Sequence, residues 1–133
     1  MAINTINIKT SKRIEMIDIT SRIAQLITDN NISEGICSIF IPHTTAGITI
    51  NENADPTVTR DILTTLNKII PHQGDYMHIE GNSDAHIKAS LMGSSQVILI
   101  QNNKLMLGTW QGIYFCEFDG PRNRKVWVKF MIS

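Results

Sequence analysis

The sequence predicts an α+β fold: one compact domain, residues 1–133, of largely antiparallel sheet packed with two or three helices. Three observations carry that prediction. The chain has 133 residues, 42% hydrophobic and 18% charged, which suits a single domain with an ordinary core. Short β-branched runs are bounded by turn residues along most of its length. The elements follow the order ββαββαα(ββ)β, so most strands have a strand as an immediate neighbour in the chain.

Ile3, Ile6 and Ile8 stand among Asn and Thr and give a first strand with imperfect alternation. Ser11 and Lys12 turn the chain, and residues 13–19 read as a second strand. Thr20 is the expected cap of a helix whose apolar face is Ile23, Leu26 and Ile27, and Asp29-Asn-Asn31 stops it. Residues 35–41 are rich in β-branched side chains and look like a buried strand. Pro42 breaks that strand and delivers His43, Thr44 and Thr45 into a loop; residues 47–51 return as the next strand. Asp55-Pro56 is a helix start, because the carboxylate can accept a first-turn N–H and proline's fixed φ suits the first helical position. Val58, Ile62, Leu63, Leu66, Ile69 and Ile70 continue at helical spacing as far as Pro71.

Residues 76–93 read as a strand end, a tight turn and a helix, with Asn82 or Ser83 as cap and Gly93 as terminator. Residues 95–101 form a strand, and Asn102-Asn103 tolerates the positive φ of a hairpin turn. The partner strand is expected through 105–118, long enough to need a bulge or bend at Gly108 or Gly112. Residues 119–122 turn the chain, and 125–131 alternate as a last strand.

Twelve basic and twelve acidic residues cancel, so no strong field recruits nucleic acid or an anionic membrane. Cys37 and Cys116 lie in apolar runs and outside any CxxC pair, which points to buried free thiols. No apolar run reaches membrane-spanning length and the first residues do not read as a signal peptide, so the expected compartment is the cytoplasm.

Polar groups interrupt apolar elements at several places, where sites are commonly assembled. His43 ends a strand, and His78 and His86 flank a turn with Glu80 and Asp84 nearby. These three histidines are expected to converge on one cleft and to share a divalent metal or an anion; three nitrogen ligands plus water suit zinc. The plainer alternative is three hydrogen-bonded histidines and a structural capping loop. Glu52 and Asp55 offer hard oxygens that suit magnesium, although capping alone explains Asp55. Lys88, Arg122 and Arg124 are candidate phosphate ligands, with arginine the better bidentate partner. Trp110 reads as core or interface packing, Gln111 as a ligand-orienting side chain, and His72 as an exposed loop residue without a site role.

The segments His43-Thr-Thr-Ala, Asn51-Glu-Asn-Ala-Asp55-Pro, Tyr76-Met-His78, Asp84-Ala-His86-Ile-Lys, Gly108-Thr-Trp-Gln111 and Cys116-Glu-Phe-Asp-Gly-Pro-Arg122-Asn-Arg124 together resemble the YjbQ family, UPF0047. Asn103 departs from the glycine expected in that family's signature, and both residues tolerate positive φ. The resemblance implies a homotrimer and a secondary thiamine-phosphate synthase activity, which joins hydroxymethylpyrimidine diphosphate to thiazole phosphate and expels pyrophosphate. Family motif positions fall on His43, Glu52, Asp55, His78, His86 and Gln111; Glu52, His86 and Gln111 are the expected catalytic residues and Thr44, Thr45, Lys88 and Arg122 the expected substrate-binding ones. His43, His78, His86 and Asp55 are then the metal ligands, for magnesium or zinc. Two other classes stay open: a non-catalytic trimeric protein binding a metal or small ligand, and a metal-dependent hydrolase using Glu52 or Glu80 as base.

Overall fold

The computed structural model describes residues 2–133. Eight strands and three helices follow in the order β1 (Asn4–Lys9), β2 (Glu15–Asp18), α1 (Thr20–Asp29), β3 (Gly35–Phe40), β4 (Ala46–Glu52), α2 (Pro56–Ile69), α3 (Ser83–Met92), β5 (Ser95–Gln101), β6 (Lys104–Leu105), β7 (Gln111–Glu117) and β8 (Asn123–Ile132). They build two antiparallel sheets. One has the order β1-β8-β3-β5-β6, and the other β2-β7-β4.

The three-stranded sheet is the middle layer, and β7 shows why. Its residues are buried without alternation from Gly112 to Glu117. Ile113 and Phe115 pack with Ile48 into the main core, against the inner face of the larger sheet and Ile23 and Ile27 of α1. Tyr114 and Cys116 face the other way, into a second core with Phe118 and with Ala85 and Ala89 of α3. A strand covered on both faces loses the period-2 signal that a half-exposed strand keeps.

β8 is the contrasting case. Arg124, Val126, Val128 and Phe130 are buried, while Lys125, Trp127, Lys129 and Met131 are exposed. The outer face of the larger sheet is therefore open. Register sets Ile36, Leu99 and Met131 in one row, and Ser38, Val97 and Lys129 in the next. Phe40 and Trp127 stack in the third row, with ring centroids 6.1 Å apart.

Several local expectations meet a different outcome. The chain from 105 to 118 is not one strand: β6 is two residues long, and the chain crosses to the other sheet before β7. Residues 76–78 are not a strand end but part of an irregular connection between α2 and α3. Thr20 does not cap α1 with its own side chain; Asp18 accepts both the Thr20 N–H at 2.9 Å and its hydroxyl at 2.6 Å. Asn82 occupies the cap position of α3 without a capping bond. Other expectations match. Asp55 accepts from the Thr57 N–H at 2.9 Å with Pro56 next in line, and Asn102 and Asn103 take φ of 52° and 62°. Gly93 ends α3 at φ 95°, where a side chain would be strained. Cys37 and Cys116 are buried free thiols, each with its pKa pushed up to about 12 by burial. No helix among the described residues is long and apolar enough to cross a membrane.

Candidate functional site

A cleft of about 800 Å³ opens at one end of the three-stranded sheet. Three chain segments wall it. The β3–β4 connection supplies His43, Thr44 and Thr45; the α2–α3 connection and α3 supply His78, Glu80, Asn82 and His86; the β7–β8 turn supplies Asp119 and Arg122, and the start of β8 supplies Arg124. Ser94, just after Gly93, and Phe40, Ile41 and Pro42 at the end of β3 complete the lining.

The sheet-side wall is held by a buried ion pair. Glu117 is wholly buried, and it accepts from Arg124 Nε at 2.9 Å, from Arg124 Nη2 and from the Thr10 hydroxyl at 2.8 Å. Arg124 Nη2 also donates to the Thr45 hydroxyl at 2.8 Å, which fixes the lip of the β3–β4 connection. Burial by itself would raise the Glu117 pKa, but these donors outweigh it and hold the carboxyl below its ordinary value. Gly120 permits the turn behind this wall, because a Cβ there would lie 2.3 Å from the Lys12 carbonyl oxygen.

Arg122 is partly engaged. Its Nε and Nη2 donate to the Asp119 carbonyl at 2.7 Å and carboxylate at 2.9 Å, and Nη1 has no partner among the described residues. Asn82 donates to the same carboxylate at 2.9 Å, and its own Oδ1 is buried without a partner.

The helix-side wall depends on Asp84. This carboxylate is fully buried and meets Lys88 at 3.0 Å, His72 Nδ1 at 3.0 Å and Arg13 at 3.3 Å. Lys88 also donates to Asn67 of α2 at 2.8 Å. Burial opposes ionisation of Asp84, but the His72 and Lys88 contacts prevail and its pKa is lowered. These bonds seat the first turn of α3 and so set where His86 stands.

The expected site residues divide. His43, His78, His86, Thr44, Thr45 and Arg122 all line the cleft. Lys88 does not: it is 0% exposed and its ammonium is spent on Asp84 and Asn67. Two helical positions separate it from His86, a rotation of about 200° around the axis. Thr45 is buried, with its hydroxyl taken by Arg124. Glu52 and Gln111 face each other at the far end of β4 and β7, while Ala46 at the near end pairs with Glu117. Six residue steps of about 3.3 Å put those ends roughly 20 Å apart. Asp55 lies beyond Glu52 and is occupied as a helix cap. Trp110 is 63% exposed, which leaves interface packing rather than core packing as its expected role.

His43, His78 and His86 share one cleft lining but do not form a preassembled ligand set in the single chain. No group of three or more His, Cys, Asp or Glu side chains among the described residues could hold a metal ion. His78 and His86 do approach edge to face, with ring centroids 5.3 Å apart, and His78 Nε2 lies 3.9 Å from Glu80. His43 is occupied otherwise: its Nε2 accepts the Lys125 backbone N–H at 2.9 Å. Burial and the nearby Arg124 guanidinium lower its pKa, so the neutral ring is favoured.

His72 is an exposed loop residue outside the cleft lining, as expected, but its Nδ1 meets the buried Asp84 at 3.0 Å, a contact no local pattern marks. Ser94 and Asn82 are cleft residues without a sequence signal beyond their places at helix ends.

Residues 4–133 match the family model described as UPF0047 protein YjbQ-like. A UPF0047 protein of Methanocaldococcus jannaschii is 56% identical over 93% of this chain and 90% of its own length. The UPF0047 protein YugU of Bacillus subtilis is 52% identical over 97% and 98%. Among solved structures, an uncharacterized conserved protein of this family from Clostridium acetobutylicum superposes with a TM-score of 0.94 at 62% identity, covering 96% of this chain and 99% of that one. A protein of unknown function from Sulfolobus solfataricus gives the same TM-score of 0.94 at 33% identity, with coverage of 99% and 97%. The chain belongs to the UPF0047 family of YjbQ-like proteins.

Proposed function

We propose that the cleft binds a phosphorylated small molecule and that the protein is a transferase of the thiamine-phosphate synthase type. The observation that carries this reading is a cleft of about 800 Å³ whose lining sets Arg122, Thr44 and three histidines beside the carboxylates of Glu80 and Asp119. That size suits a small ligand. In the proposed reaction the bond from the pyrimidine methylene carbon to the diphosphate oxygen breaks, and its electron pair leaves with pyrophosphate. The thiazole nitrogen lone pair forms the new bond to that carbon. The carbon is benzylic in type and can carry developing positive charge, so the protein need supply no nucleophile. What it must supply is stabilisation of the negative charge that builds on the leaving oxygens. Arg122 Nη1, the Thr44 hydroxyl and the cleft histidines are the groups for that work.

The test is incubation of purified protein with the two phosphorylated substrates, with and without magnesium, reading thiamine phosphate and pyrophosphate together. The expected result is slow, stoichiometric formation of both. No product above a protein-free control overturns the transferase reading; pyrophosphate binding without turnover would assign the cleft to a non-catalytic binding protein.

The open outer face of the larger sheet supports a second part of the reading, self-association as a trimer. Val97, Leu99 and Met131 are exposed by 62%, 62% and 55%. Apolar surface of this extent on one flat face is unusual for a monomer. Phe40 lies both on this face and in the cleft lining, so a copy seated there would also wall the cleft.

A further inference from the structure

We infer that His43 is a hydrogen-bond donor of fixed tautomer, presenting Nδ1–H to a phosphoryl oxygen of the bound ligand, rather than a metal ligand. The inference rests on the phosphate-binding reading above and adds the role of one residue. It follows from the Lys125 backbone N–H. That group has a hydrogen to give and nothing to accept, and it points at His43 Nε2 over 2.9 Å. Nε2 must therefore carry the lone pair, and in a neutral imidazole the proton then sits on Nδ1. A metal would have to displace the amide from Nε2 or the proton from Nδ1.

The backbone geometry makes this arrangement stiff. Lys125 is in β8, where it pairs with Asn7 of β1. On the other side, the segment carrying His43 is tied down by Arg124 through Thr45. Ring and amide are thus fixed by neighbouring elements before any ligand arrives. Nδ1 has no partner among the described residues, and His43 lines the cleft. Preorganised donors of this kind act where charge develops, since they need no reorganisation at the moment of reaction. A donor to phosphate also fits the company His43 keeps, with Arg122 in the same lining.

Two substitutions separate the two ring nitrogens. Nδ1 stands two bonds from Cβ, as the amide nitrogen of Asn does; Nε2 stands three bonds away, as the amide of Gln does. His43→Asn therefore keeps a donor near the Nδ1 position, and His43→Gln keeps a partner for the Lys125 amide without it. The experiment is calorimetric titration of wild-type protein and both variants with inorganic pyrophosphate, alongside nitrogen-15 spectra of the imidazoles. Expected are an Nδ1–H tautomer for His43, a shift of that resonance on adding pyrophosphate, binding by His43→Asn within about threefold of wild type, and binding by His43→Gln weakened roughly tenfold or more. Equal affinity in all three proteins, or an Nε2–H tautomer, overturns the inference. So does a zinc titration that shifts the His43 resonances and loses its saturation in both variants. Wild-type protein that binds no pyrophosphate overturns the phosphate reading itself, and the tautomer and zinc spectra then decide separately whether His43 is a metal ligand.

Discussion

The two ends of the three-stranded sheet carry equally polar sequence and do opposite things with it. At the far end, Glu52, Asn53, Asp55 and Gln111 lie close along the chain or across β4 and β7. Two of these side chains are consumed locally: Gln111 accepts from the Gly108 N–H at 2.7 Å, and Asp55 caps α2. Asn53 is the exception, donating to Asp18 at 3.1 Å across 35 positions. At the near end, the buried ion pairs sit behind the surface and leave Arg122, Thr44, His43 and His86 along an open cleft. Polar residues whose partners come from within a few positions make turns and caps. Polar residues held by distant partners, as Thr45 is by Arg124 and Asp84 by His72, are free to be arranged around a space.

The largest expected effect lies behind the near wall. Glu117→Gln leaves the Arg124 charge buried and uncompensated, and should cost about 3–5 kcal/mol in chemical denaturation. The same carboxylate sets an acid limit. Its folded pKa lies below the ordinary 4.5, so its contribution is complete above about pH 4.5 and is lost as pH falls through the folded value. Asp84 acts with the same sign below its ordinary 3.8. An acid unfolding midpoint unchanged by Glu117→Gln would show that this pair does not hold the wall.

Opening the outer sheet face is the next test. Leu99→Glu should convert an assembly into monomers in light scattering, because burying the new charge in an interface is costly. A wild-type protein that is monomeric at micromolar concentration ends the trimer proposal.

Within the cleft, Arg122→Ala should weaken pyrophosphate binding roughly tenfold, the loss of one hydrogen bond to a charged group. Its own ion pair with Asp119 is half-exposed, so unfolding should change by less than about 1 kcal/mol. A binding loss matched by a stability loss would make Arg122 a structural residue.

The smallest effect belongs to the far end. Glu52→Gln should alter pyrophosphate affinity by less than about twofold and stability by less than about 0.5 kcal/mol, as for an ordinary surface change. A tenfold effect would erase the contrast between the two ends. It would mean that a neighbouring copy carries Glu52 to the cleft.

Much of this was legible along the chain because its physical cause is local. Asp55-Pro56 starts α2 through one carboxylate and one fixed φ. Gly93 stops α3, Asn102-Asn103 turns a hairpin, and the alternation in β8 marks a strand with one open face. The motif residues His43, His78, His86 and Arg122 were recognisable too, as polar groups placed at the ends of apolar elements.

What the sequence could not supply is which ends meet. Gln111 and Glu117 lie in the same short strand, yet one belongs to a closed turn and the other anchors the cleft. A strand is rigid and extended, so seven residues separate two environments that look adjacent on paper. Lys88 and His86 are two residues apart on a helix and face opposite ways for the equivalent reason. The tautomer of His43 is the finest case. Nothing in its sequence neighbours indicates it, because the deciding N–H belongs to Lys125, 82 positions away, and only tertiary folding brings the two within 2.9 Å.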